Sequence, residues 1–89
     1  NYPNPFNPIT TISYNVETSG YVNLKIYDVM GRLVRTLVDN KYVSAGYQEG
    51  YSVVWNSLDN YGKKVSAGLY IYRLESATHS MANKMILLK

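Results

Sequence analysis

The sequence predicts an all-β fold, an immunoglobulin-like antiparallel β-sandwich of about seven strands, and three observations predict it. Apolar and polar residues alternate through several segments of the chain. Clusters of Gly, Asn, Asp and Ser interrupt that alternation at roughly 8–12-residue intervals. The aromatic set is ten Tyr, one Trp and one Phe, and tyrosine suits a pleated surface where the ring packs and the hydroxyl stays wet. No stretch sustains a helical period. The Cys…Trp…Cys spacing of antibody domains is absent, so the architecture alone is implied.

The elements come in order along the chain. Residues 1–9 hold all three prolines, Pro3, Pro5 and Pro8. Each proline lacks an N–H and drives its predecessor to extended backbone, so this stretch reads as an extended lead-in with Phe6 free to tuck into the sandwich edge. Thr10 to Val16 alternates, with Ile12, Tyr14 and Val16 on one face. After a turn at Glu17–Gly20, Tyr21 to Asp28 repeats the pattern with Val22, Leu24 and Ile26 inward. Gly31 breaks the chain before a third strand at Leu33–Val38, whose inward face is ambiguous because both parities are apolar. Asp39–Gly50 reads as a long loop with a short edge strand at Lys41–Val43. Tyr51, Val53 and Trp55 form the next inward face, and Asp59-Asn60-Tyr61-Gly62 reads as a tight reversal. Lys64–Ser66 reads as a short strand. Leu69–Ser76 carries Tyr70, Tyr72 and Leu74 inward, and a last strand covers Ser80 to Leu88.

Composition narrows function. Eighty-nine residues make one domain, 1–89, and the absence of cysteine leaves packing as its sole stabilisation. The net charge of +3 is scattered, with Lys63-Lys64 the one adjacent basic pair, which argues against nucleic acid. No run approaches the roughly 20 apolar residues of a membrane span, and no signal-peptide pattern opens the chain. Export would therefore depend on a signal carried by a longer parent, and the abrupt start at Asn1-Tyr2-Pro3 fits a piece of one.

The chemistry-bearing residues do not assemble in sequence. His79 is the single histidine and lies in a turn-like stretch, where a solvated loop role is expected. Common zinc sites use more than one such ligand. Glu17, Asp28, Asp39, Glu49, Asp59 and Glu75 are isolated from one another. Asp59-Asn60-Tyr61-Gly62 is a weak match to a calcium loop and a better one to a hairpin turn. Tyr14, Tyr70 and Tyr72 read as core, while Tyr42, Tyr47, Tyr51 and Tyr61 read as exposed rings that could face a glycan. No catalytic residue, cofactor or metal is expected, and the chain reads as something other than an enzyme.

Three stretches in order resemble the type A C-terminal sorting domain of the type IX secretion system. These are Tyr2-Pro3-Asn4-Pro5-Phe6-Asn7-Pro8, Tyr27-Asp28-Val29-Met30-Gly31-Arg32-Leu33-Val34, and Lys84-Met85-Ile86-Leu87-Leu88-Lys89. Trp55 through Tyr72 also resembles the Ig-like domain of the flagellar hook-capping protein, with Asn56 and Ser57 where that pattern has an acidic residue and a glycine. The resemblance implies a sorting signal covalently attached to an N-terminal cargo domain. Its partners would be the type IX translocon and a sortase-like peptidase, its route the periplasm and then the cell surface or medium. It implies recognition through Pro3, Asn4, Pro5, Gly31, Arg32, Lys84, Met85, Ile86, Leu87, Leu88 and Lys89. A carbohydrate-binding or spacer module and a hook-cap-type assembly domain are the alternatives. Met85 to Leu88 can serve as a docking strand or as core.

Overall fold

The computed structural model describes Pro5, residues 8–46 and residues 50–88. Among these residues six strands form: β1 Thr10–Tyr14, β2 Gly20–Asp28, β3 Leu33–Val43, β4 Tyr51–Trp55, β5 Gly68–Glu75 and β6 Ser80–Leu87. β1 and β4 pair as one antiparallel sheet, and β3-β2-β5-β6 form the other. The sandwich expected from alternation is therefore present with six strands in place of about seven. The strand expected at Lys64–Ser66 reduces to one isolated bridge between Leu58 and Lys64. The expected lead-in falls mostly outside the described residues, as does Phe6.

Alternation places the core where the sequence indicates. Ile12 and Trp55 enter from the small sheet, while Val22, Leu24, Ile26, Tyr70, Tyr72, Leu74, Met85 and Leu87 enter from the large one. Trp55 meets Tyr70 edge to face at 5.4 Å. Both aromatic polar groups are satisfied: Trp55 Nε1 donates to the Leu58 carbonyl at 2.9 Å and the Tyr70 hydroxyl to the Ser66 carbonyl at 2.6 Å. Burial of these two rings thus proceeds without an unpaired donor, which would cost about 1–3 kcal/mol.

β3 departs from its expectation in an instructive way. The predicted strand at Leu33–Val38 and the predicted edge strand at Lys41–Val43 are one continuous strand. Its register against β2 shifts between Val22 and Leu24, between Leu24 and Lys25, and between Ile26 and Tyr27. Each shift adds a residue to β3 and flips the parity of the residues beyond it. Val38 and Val43 can therefore both be buried although strict alternation would put them on opposite faces. At the first shift Asn40 adopts φ 49°, a conformation asparagine tolerates, and its N–H donates to Asn23 Oδ1 at 2.9 Å.

Two turns share one design. Asp28-Val29-Met30-Gly31-Arg32 joins β2 to β3, and Asp59-Asn60-Tyr61-Gly62-Lys63 reverses the chain after β4. In each, the aspartate N–H donates to the carbonyl of the basic residue, and the glycine N–H to the aspartate carbonyl. The aspartate Oδ1 then accepts from two further backbone N–H groups, of Met30 and Arg32 or of Tyr61 and Lys63. Gly31 and Gly62 take φ of 83° and 82°, which only glycine adopts without strain. The space around a Cβ on Gly31 is open, so Gly31→Ala meets backbone strain alone. Its expected cost is about 1–2 kcal/mol, read from urea unfolding. The second turn also seals the β3 edge: Asn60 N–H donates to the Val34 carbonyl at 3.0 Å, Thr36 N–H to Asn60 Oδ1 at 2.9 Å, and Arg35 to the Asp59 carbonyl at 3.1 Å.

Candidate recognition face

The terminal strand sorts its own residues by parity. Met85 and Leu87 point inward and are buried, at 0% and 4% exposure. Ile86, 44% exposed, and Lys84 lie on the opposite, outer face. Leu88 comes just after the strand and is about half exposed. The core role thus falls to Met85 and Leu87, and the alternate residues Lys84 and Ile86 are left exposed on the other face.

Strand register then brings distant segments together. Lys84 lies opposite Ile71, Ile71 opposite Tyr27, and Tyr27 opposite Leu33. Ile86 lies opposite Leu69 in the neighbouring row. The outer face of the large sheet therefore carries Tyr27 and Leu33 of the central segment beside Lys84 and Ile86 of the terminal one. Leu33, Leu69 and Ile86 are each exposed there. The next row holds Thr36, Lys25, Arg73 and Ala82 in order. A shallow groove of about 370 Å³ runs along this face between Tyr27, Gly31, Ile71, Arg73 and Glu75.

Gly31 and Arg32 close the end of the face. Arg32 Nε donates to Asp28 Oδ2 at 2.9 Å. The Asp28 carboxyl is held below the usual carboxylate range, first by the Arg32 backbone N–H, then by the Arg32 side chain and the Met30 N–H, against some desolvation. A lowered pKa in the folded state adds stability above the ordinary aspartate range, and that stability is lost as pH falls through the folded value. The unfolding midpoint of the natural chain should exceed that of Asp28→Asn at neutral pH. The gap should shrink below about pH 4, as a pH series of thermal melts would record.

Of the other expected recognition residues, Pro5 is exposed, while Pro3, Asn4 and Lys89 lie outside the described residues. The Pro8 carbonyl accepts a hydrogen bond from the Ser57 hydroxyl. Ser57 itself is buried with φ 66°, so a serine takes up left-handed backbone at the position where the hook-cap pattern has a glycine. Lys25, Ile71 and Arg73 were not among the expected residues, although their outward parity on β2 and β5 marks them.

The remaining candidates scatter. His79 is exposed, 2.9 Å from Thr78 Oγ1 and 3.7 Å from Glu17 Oε1. That hydroxyl, imidazole and carboxylate stand in the order of a hydrolytic triad, but the imidazole and carboxylate side chains are both more than half exposed to water. Among the described residues no three His, Cys, Asp or Glu come together. Asp59 Oδ1 is occupied by turn N–H groups, which identifies that segment as a hairpin turn. No helix among the described residues is long and apolar enough to cross a membrane. Tyr70 and Tyr72 are core, and Tyr42 and Tyr61 are exposed. Tyr51 departs from its exposed reading: its ring stacks on Tyr14 at 5.6 Å and its hydroxyl bonds both backbone groups of Ser44. Burial and the neighbouring Tyr51 raise the Tyr14 pKa. Tyr47 lies outside the described residues. Tyr21 and Tyr42 form an exposed pair at 5.4 Å, inclined by 76°, which is not a flat platform for a sugar.

Residues 1–88 match the family described as the secretion system C-terminal sorting domain. The fold is similar to part of dimeric latent PorU from Porphyromonas gingivalis, with TM-score 0.77 and 30% identity over 98% of this chain and 9% of that one. It is also similar in fold to part of PorZ, a surface component of the type IX secretion system of Porphyromonas gingivalis, with TM-score 0.69 and 22% identity over 99% of this chain and 11% of that one. The chain thus spans about a tenth of these larger proteins. No curated protein matches it by sequence.

Proposed function

Because the chain belongs to the secretion system C-terminal sorting domain family, we propose that it is the export address of a larger bacterial protein, read by the type IX outer-membrane translocon. The domain is then the substrate of the machinery and performs no chemistry itself. A cargo domain precedes it on the same chain, crosses into the periplasm, and reaches the cell surface or the medium. A sortase-like peptidase cuts the domain from the cargo once translocation is complete. One observation supports this reading above the rest: the central and terminal sequence signatures meet on one exposed sheet face, as residues read by a receptor must.

The test is a fusion of residues 1–89 to a periplasmic reporter in a bacterium that has the type IX system and in one whose translocon is deleted. Export in the first strain and periplasmic retention in the second is the expected result. Retention in both strains would overturn the proposal.

A further inference from the structure

Lys25 and Arg73 stand directly opposite each other on the outer face, one on β2 and one on β5. Like charges in that arrangement repel and weaken a sheet. Among the described residues neither takes part in an ion pair. Strands β2, β5 and β6 turn three cations outward, Lys25, Arg73 and Lys84, against one anion, Glu75. The charge is therefore positive on the two central strands of the sheet, with no internal neutralisation of its closest cation pair.

One row further along lie Leu33, Tyr27 and Ile71. Rows on one face of a sheet are two residues apart, or about 6.8 Å. An extended segment or a second sheet laid along this face presents its own side chains with the same period. A carboxylate over Lys25 and Arg73 thus coincides with an apolar side chain over Tyr27 and Ile71 when acidic and apolar residues alternate at i and i+2. Lys25 is partly buried between Thr36 and Arg73. An acceptor that reaches in between these side chains meets such a cation better than a flat plane of headgroups does.

We infer that the outer face of the four-stranded sheet docks a protein partner through a carboxylate bridging Lys25 and Arg73, with an apolar side chain two residues away seated on Tyr27 and Ile71. The inference rests on the sorting reading and gives its receptor a chemistry: an acidic and apolar β-surface.

Single charge reversals test it in the reporter fusion. Lys25→Glu sets opposite charges across β2 and β5, so the thermal unfolding midpoint should hold or rise while export falls by about tenfold or more. Arg73→Glu should behave alike. Lys41→Glu makes the same change in net charge on an exposed β3 residue that lines a cleft with Tyr51 and Val53 of the small sheet, away from this face, and export should stay within about twofold. Stability and export moving in opposite directions is a result that a purely structural role for Lys25 does not produce. Unchanged export of both reversals, with the unaltered fusion exported, overturns the face assignment and leaves the sorting reading standing. An unaltered fusion that is not exported overturns both. Sedimentation of residues 1–89 with phosphatidylglycerol vesicles, lost in Lys25→Glu, would make the partner an anionic membrane and also overturn the protein assignment.

Discussion

Trp55→Ala is expected to remove most of the stability of the domain. The ring is fully buried, packs edge to face on Tyr70, and joins the two sheets. Truncating a buried aromatic ring of this size costs about 3–5 kcal/mol. Domains hold about 5–15 kcal/mol in total, and a small one without disulfides sits toward the lower end. The loss also leaves the Leu58 carbonyl without the indole donor that orders the segment leading into the second turn. Urea unfolding followed by far-UV circular dichroism would measure the effect, since the variant has no tryptophan to report by fluorescence. A midpoint close to that of the natural chain would show that the two sheets are held together elsewhere.

The second large effect separates folding from recognition within one strand. Met85→Ala empties a core site and should cost about 2–5 kcal/mol. Ile86→Ala removes an outward side chain and should leave stability within about 1 kcal/mol. Export of a reporter fusion should nevertheless fall for both, in the first case through unfolding and in the second through loss of the apolar row beside Leu69. Thermal melts run alongside the export assay distinguish the two causes. If Ile86→Ala exports normally, the apolar part of the outer face has no role in sorting.

These pairs show where sequence reading succeeds and where it stops. In β2 and β5, Val22, Leu24 and Ile26 and then Tyr70, Tyr72 and Leu74 alternate without interruption, so the inward face is legible residue by residue. In β3 the bulges opposite Asn23 and between Leu24 and Lys25 reverse parity within the strand, and no fixed period survives to be read. Met85, Ile86, Leu87 and Leu88 form a continuous apolar run, which carries no period either; only pairing with β5 decides which of them face the core. The proposed recognition face needs long-range register. Tyr27 and Lys84 share a row because Ile71 stands between them, a relation that local patterns do not encode. The expected strand at Lys64–Ser66 failed for a related reason. Its residues come after the Asp59 turn and make one bridge, and among the described residues no second strand pairs with them to extend the ladder.

The division of labour between the two sheets has a mechanical consequence. A cargo joined on the N-terminal side pulls on β1 through Pro8, and β1 is held laterally by a five-residue ladder with β4. The outer face of the four-stranded sheet belongs to a different set of hydrogen bonds. Tension on the tether is therefore expected to load the smaller sheet first, reaching the Ser57 hydroxyl bond to Pro8 and the Ile12 side chain before any row from Leu33 to Lys84. On the proposed reading, the face that is held and the segment that is pulled are separate parts, so a receptor would keep its grip while the cargo side is drawn out.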